Sequence, residues 1–401
     1  MYRDSDKLLS LQTAGLQALY WMIFCPVYSF SSVFLLFRHF SNQQIGWIIA
    51  IGNIIAVVLQ PLLGTLIDRY RRVSLKRVLI VLSVLDLALL MVLMYAQLGL
   101  AWLSVIYVGV VALLITMQPL VTSLTFEHIN AGRNINFGVT RAAGSVGFAM
   151  LSTLLGFWIV RTTPGIIPYL SAVLILWYLL LLFTYPQVKR PAHAKKAVAP
   201  AVPVPAAPDK GFLLRYERLI PFLLGVACLF IFHTNINTFL AQIMTSVGGK
   251  TTDLGISLTI AALCELPAFM GFNWLAARFS GAALLKFSGI MYALRSFIFL
   301  IASSVFLVNL GQVFQAFSFA VFIPASVYYI NNTMRDADKV KGQTYVTGLA
   351  TLGGVVGSIV GGRLLDTASV HGMLIFASVA AVAGCFLILY AVHKKDPQPA
   401  G

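Results

Sequence analysis

The sequence predicts an all-α integral membrane protein, with twelve transmembrane helices in two pseudo-symmetric six-helix bundles and both termini in the cytoplasm. Three observations carry that expectation. The chain is 59% hydrophobic and 10% charged over 401 residues, far too apolar for a soluble fold. Apolar runs long enough to cross about 30 Å of hydrocarbon recur along its whole length. Most of the Lys and Arg fall in alternate connecting segments, the bias that marks cytoplasmic loops.

The runs lie near 11–37, 44–66, 77–97, 100–123, 137–160, 166–185, 219–246, 254–277, 283–304, 306–331, 342–365 and 372–392. With cytoplasmic termini, 22 of the 28 Lys and Arg are inside. Only Arg38, Arg161, Lys250 and Arg363 are outside, while Arg141 and Arg295 lie within spans. The net charge of +15 is therefore loop charge following topology, and a nucleic-acid partner is not expected. The first run exceeds a signal-peptide core and has no small-residue cleavage site, so it reads as a retained span. Cys25, Cys228, Cys264 and Cys385 all sit in apolar runs, with no metal-ligand spacing, so neither metal nor cofactor is expected.

One long break interrupts the pattern. Residues 187–214, rich in Pro, Ala and Lys, cannot build a core and read as a flexible cytoplasmic linker between bundles at 1–186 and 215–401. The two halves also resemble each other. GVTRAAGSVG at 138–147 matches VTGLATLGG from Val346 to Gly354 at a shift of 207 residues, and Pro61 matches Pro267 at a shift of 206. Span two thus answers to span eight, and span five to span eleven. Parallel repeats of this kind are typical of transporters with a site near the bilayer midplane.

Ionisable groups inside hydrocarbon are costly and need a partner, water or a ligand. Arg141 enters span five with Ser145, Phe148 and Ser152 on the same helical face, which aligns a donor fork, an aromatic plate and two hydroxyls. Its counterpart in the repeat is Gly348, so the scaffold itself does not require an arginine there. Glu265 and Arg295 lie near the middle of consecutive antiparallel spans and are expected to pair. Asp86 lies nine residues into span three, either titrating or accepting hydrogen bonds between helices. His233 stands beside Asn235 and Asn237 in span seven and is either a proton site or a bonded core residue. Span eleven carries Gly353, Gly357 and Gly361 at spacing four, with Gly354 and Gly362 beside them. That stripe suits either tight packing or a smooth rocking surface.

The segment after span two reads Gln60-Pro61-Leu62-Leu63-Gly64-Thr65-Leu66-Ile67-Asp68-Arg69, followed by Arg71 and Arg72. Gly64, Asp68 and Arg69 resemble the Gly-x-x-x-Asp-Arg loop motif of the major facilitator superfamily. Together with Gln-Pro-Leu, with Asn134, Phe137, Gly138, Arg141, Gly144 and Gly147, and with the surroundings of Glu265 and Arg295, they resemble its lactose permease (oligosaccharide:proton symporter) type. Arg71 replaces the glycine usual before the basic pair, and Phe148 replaces a tryptophan. The resemblance implies that Arg141 binds sugar hydroxyls, that Glu265 contacts sugar and that Arg295 assists proton coupling. Gln315 and Ser318 stand where that family has a histidine and a proton-carrying glutamate, and neither titrates near neutral pH.

The expected function is secondary active transport of a small polar solute across the cytoplasmic membrane by alternating access, with protons as co-substrate. Sugars come first, then nucleosides and aromatic acids. Solute contacts are expected from Arg141, Ser145, Phe148, Glu265, Asn237 and Gln315, proton coupling from Glu265, Arg295, Asp86 and His233, and a monomer in lipid. No Gly-x-x-x-x-Gly-Lys-Ser/Thr loop and no hydrolase motif is present, so the chain is not expected to be an enzyme. A drug or lipid exporter is the rival within the superfamily, although span five lacks the proline usual in such antiporters. A solute sensor without flux is the rival of another class.

Overall fold

The computed structural model describes residues 2–70, 73–96, 98–188, 212 and 215–392. The expected linker therefore lies almost entirely outside the described residues, as do Arg71 and Arg72. Contacts divide the chain into two compact units, 1–38 with 51–202 and 39–50 with 203–401.

The helices follow the apolar runs. They are α1 (Tyr2–Phe24), α2 (Ser31–Phe37), α3 (Asn42–Arg69), α4 (Leu75–Tyr95), α5 (Leu100–Asn130), α6 (Phe137–Arg161) and α7 (Ile166–Thr184). After the linker come α8 (Leu219–Thr238), α9 (Leu240–Ser246), α10 (Thr251–Met270), α11 (Phe272–Arg278), α12 (Gly281–Leu300), α13 (Val305–Val313), α14 (Phe319–Thr333), α15 (Asp336–Thr367) and α16 (Val370–Ala391). Among the described residues, 12 segments are long and apolar enough to cross a membrane. Backbone groups in hydrocarbon must be satisfied internally, which is why the spans among the described residues are helical. Side chains such as Leu62, Trp102 and Phe386 remain exposed on the helices, as a lipid solvent permits.

Four of the expected spans are interrupted. Span one passes into a π-helical turn, Cys25–Ser29, at Pro26, and the Tyr107 hydroxyl donates to Val27 O at 2.7 Å. Span seven divides at Phe239 and span eight at Gly271. Span ten breaks between α13 and α14, where a 3-10 turn, Phe314–Ala316, precedes Phe317 and Ser318. The Ser318 carbonyl accepts the first helical bond of α14 from Phe322 N at 3.0 Å and a second from Ser288 Oγ at 2.7 Å, and Ser318 is fully buried, the condition under which irregular backbone survives at membrane depth. The Gly64, Asp68 and Arg69 motif is a correction of another kind: these residues form the last turns of α3 rather than a loop. Pro61 costs that helix the bond its missing N–H would make to the Val57 carbonyl, and the helix nonetheless continues to Arg69; Thr65 Oγ1 donates back to Pro61 O at 2.8 Å.

Small residues set the packing in each unit. In the first, α1 packs on α6, where a Cβ on Gly144 would lie 2.5 Å from Trp21 Cδ1 and 3.2 Å from Gln17 O. In the second, α8 packs on α15 at the glycine stripe. A Cβ on Gly353 would overlap Ala227 O, one on Gly357 would lie 2.7 Å from Ile231 O, and one on Gly361 would overlap Asn235. The first and fifth spans of each half therefore pair in the same way, with the stripe serving close backbone approach. Gly348, by contrast, has no atom within 4 Å of its would-be Cβ. Gly353→Val is expected to destabilise by about 1–3 kcal/mol, since a backbone oxygen cannot yield as a side chain can. Gly348→Ala should instead gain about 1 kcal/mol from helix propensity. Thermal unfolding midpoints in detergent check both signs.

Candidate transport sites

In the first unit the site grows from α6. Asn136 caps the helix, its side chain accepting from Val139 N at 3.2 Å, and this sets Arg141 just over one turn inside. The Arg141 guanidinium donates to Ser145 Oγ at 3.2 Å, as their i, i+4 spacing requires. It also lies over the Trp21 ring at 4.3 Å from the centroid. The aromatic plate against the arginine thus comes from α1, across the contact that Gly144 opens. Phe148 is half-buried elsewhere on α6, and Ser152 is fully buried with its hydroxyl turned back to Ala149 O. A part-buried cation on an indole face gains about 0.5–2 kcal/mol, which helps hold the fork in place without consuming its hydrogen-bond donors.

The same unit contains a second polar set. Tyr20, next to Trp21 on α1, lies within electrostatic reach of Arg141, Tyr178 and Asp86, and its hydroxyl donates to Leu114 O at 3.0 Å. Asp86 on α4 is 1% exposed, and neither carboxyl oxygen has a hydrogen-bond partner. The structural-acceptor role open to Asp86 from the sequence is therefore not how it is used here.

In the second unit the break in span ten organises the site. Arg295 on α12 is fully buried and donates from Nε to Gly311 O at 2.9 Å and from Nη2 to Gln312 Oε1 at 2.8 Å and Gln315 Oε1 at 2.5 Å. Its guanidinium also lies near the Phe232 and Phe299 rings. Gln315 then donates from Nε2 to Glu265 Oε1 on α10 at 2.5 Å. The residue that replaces the family's histidine is thus the bridge between the two ionisable groups. An amide can do this because it accepts on one side and donates on the other.

His233 and Asn237 adjoin this network. Asn237 Nδ2 contacts His233 Nε2 at 3.1 Å and donates to His233 O at 2.8 Å, and the imidazole stacks on Phe319 at 4.2 Å between centroids. Arg295 lies within electrostatic reach of His233 and Tyr292. Four buried polar atoms here have no hydrogen-bond partner: Arg295 Nη1, Gln312 Nε2, Tyr292 Oη and His233 Nδ1. Gln312 and Tyr292 were not among the residues expected at the site, and neither was Trp21 in the first unit. Gln312 is one turn before Gln315, and Tyr292 is one turn before Arg295, so helical spacing from the predicted residues was the available signal. Gly64, Asp68 and Arg69 stand apart at the exposed end of α3, with the Arg69 guanidinium 5.8 Å from the Tyr70 ring centroid.

Twelve membrane-spanning segments, with buried polar groups on interrupted helices, define a multi-pass membrane protein of the secondary-transporter class. The family model described as "MFS_1 like family" matches residues 14–376, and the chain belongs to that family of the major facilitator superfamily. It is 27% identical over 366 residues to the maltose permease of Geobacillus stearothermophilus, covering 88% of this chain and 87% of that one. It is 21% identical over 373 residues to the uncharacterized transporter YwbF of Bacillus subtilis, at 89% and 87% coverage. The fold matches the crystal structure of the nucleoside transporter NupG at a TM-score of 0.80 and 18% identity, covering 96% of this chain and 100% of that one.

Gln315→Met keeps the volume of the bridge and removes its amide. The account expects a loss of about 1.5–3 kcal/mol for each charge-assisted bond removed, read as a lower urea midpoint with an unchanged slope.

Proposed function

We propose that this transporter is a proton-coupled importer of a sugar or oligosaccharide, of the lactose permease type, working by alternating access in the cytoplasmic membrane. The observation that carries the reading is the Glu265–Gln315–Arg295 chain on a broken helix. It fixes a carboxylate acceptor and leaves Arg295 Nη1, Gln312 Nε2 and Tyr292 Oη with unused hydrogen-bonding capacity. A polyhydroxylated solute offers donors and acceptors at close spacing, and buried polar groups left unpaired without it give strong discrimination against analogues lacking a hydroxyl.

The Arg141 fork over Trp21 adds donors beside an aromatic face, a combination that suits the polar rim and apolar face of a sugar ring. Arg141, Ser145, Phe148, Glu265, Asn237 and Gln315 are assigned to the solute, and Glu265, Arg295, Asp86 and His233 to coupling. The similarity to a maltose permease supports sugar over other small polar solutes. The Gly64, Asp68 and Arg69 motif at the end of α3 is assigned to the conformational cycle.

Counterflow in proteoliposomes with a labelled panel of maltose, lactose, uridine and an aromatic acid tests the reading. One sugar should exchange in wild type, with exchange reduced about tenfold or more in both Arg141→Ala and Glu265→Gln, the scale of a lost hydrogen bond to a charged group. A transported solute handled equally well by both variants would contradict the site assignment. Exchange of uridine alone would replace sugar by nucleoside, and no exchange with saturable binding would make the protein a sensor.

A further inference from the structure

We propose that the coupling proton is carried by Asp86, in the first unit, rather than by the Glu265 network in the second. The inference rests on the proton-symport reading and assigns the proton a site within it.

The two carboxyl groups sit in opposite circumstances. Glu265 is half-buried and accepts from the Gln315 amide, which Arg295 orients, so it is engaged as an anion-type acceptor suited to solute hydroxyls. Asp86 is 1% exposed, and neither of its oxygens has a hydrogen-bond partner. Burying an ionised carboxylate without donors is strongly unfavourable, whereas the neutral acid is tolerated. A group that is neutral when sealed and ionised when wetted is what a proton carrier needs.

The elements packed on α4 offer Asp86 no cation. The described groups within its electrostatic reach are Tyr107 on α5 and Tyr20 on α1. Tyr107 donates to Val27 O at 2.7 Å and Tyr20 to Leu114 O at 3.0 Å, so each hydroxyl hydrogen is already committed to a carbonyl. On α7 the titratable neighbour is Tyr178, which interacts with Tyr20. The remaining ionisable groups of α5, Glu127 and His128, lie about 30 Å along the helix from Tyr107. On α4 itself Lys76 and Arg77 are at the opening turn, about 15 Å from Asp86.

The same tyrosine joins this carboxyl to the solute side. Tyr20 is within electrostatic reach of both Asp86 and Arg141, and its ring meets Trp21 edge-on at 5.6 Å, under the Arg141 guanidinium. Any displacement of Arg141 or Trp21 by solute is therefore delivered through α1 to the surroundings of Asp86. In the proposed cycle Asp86 holds its proton while sealed and releases it once that side opens to the cytoplasm.

The test uses purified full-length protein in proteoliposomes, with the exchanged member of the panel, maltose on the present reading. External alkalinisation on solute addition, accumulation under an imposed pH gradient, and counterflow are measured together. Asp86→Asn mimics the neutral acid in size and charge. It should retain counterflow, lose alkalinisation, and accumulate solute no further than equilibrium. Asp86→Glu should restore alkalinisation with a shifted pH profile. Alkalinisation by Asp86→Asn equal to wild type would overturn the assignment while leaving symport intact. No alkalinisation by wild type would overturn symport and the assignment together. If Asp86→Asn lacks counterflow as well, Asp86→Glu decides: a displaced pH profile supports the proposal and an unmoved one overturns it.

Discussion

A polar group surrounded by hydrocarbon must find its partner within the protein, and that constraint shapes both units. Arg295 shows it most fully. A completely buried guanidinium is sustained by one backbone carbonyl, two glutamine side chains and two aromatic rings. Two of these acceptors, Gly311 and Gln312, belong to the end of α13, and the third, Gln315, belongs to the turn that follows. The interruption of span ten is thus coupled to the demands of the arginine. A continuous helix would present Gln312 and Gln315 at ordinary helical spacing, without the 3-10 turn at Phe314–Ala316.

Glycine permits what the polar groups require. Close approach of α1 to α6 at Gly144 brings Trp21 under Arg141, and the corresponding approach of α8 to α15 at Gly353, Gly357 and Gly361 holds the helix that carries His233 and Asn237. The halves share this scaffold and differ in what they hang on it. Arg141 has Gly348 as its counterpart, and the space around Gly348 is open. The repeats thus differ at this position, while the close packing of first on fifth span is kept in both.

Much of this was legible in the sequence because hydrocarbon imposes long apolar runs, and the span limits near 137–160, 166–185 and 372–392 agree with α6, α7 and α16 to within two residues. The i, i+4 contact of Arg141 with Ser145 was legible for the same reason, being local to one helix. The break at 314–318 was not. No glycine or proline falls inside it, and Pro324 comes only later, so nothing local announces the turn. The place of Trp21 was equally hidden, since periodicity within α1 does not say which neighbour its aromatic face meets. Gly64, Asp68 and Arg69 were expected in a loop because the charged run ends the apolar one, but α3 continues beyond its hydrocarbon-length segment to Arg69.

The central claim is that Arg141 on Trp21 is part of the solute site, and Trp21 can report on it directly. Tryptophan emission of purified protein is titrated with the solute that exchanges in counterflow, alongside Trp21→Phe. The account predicts a saturable change in wild type that is lost in Trp21→Phe, although that variant keeps the other five of the 6 tryptophans. Saturable binding of the labelled solute to wild type with no change in emission, or an undiminished change in Trp21→Phe, would contradict it.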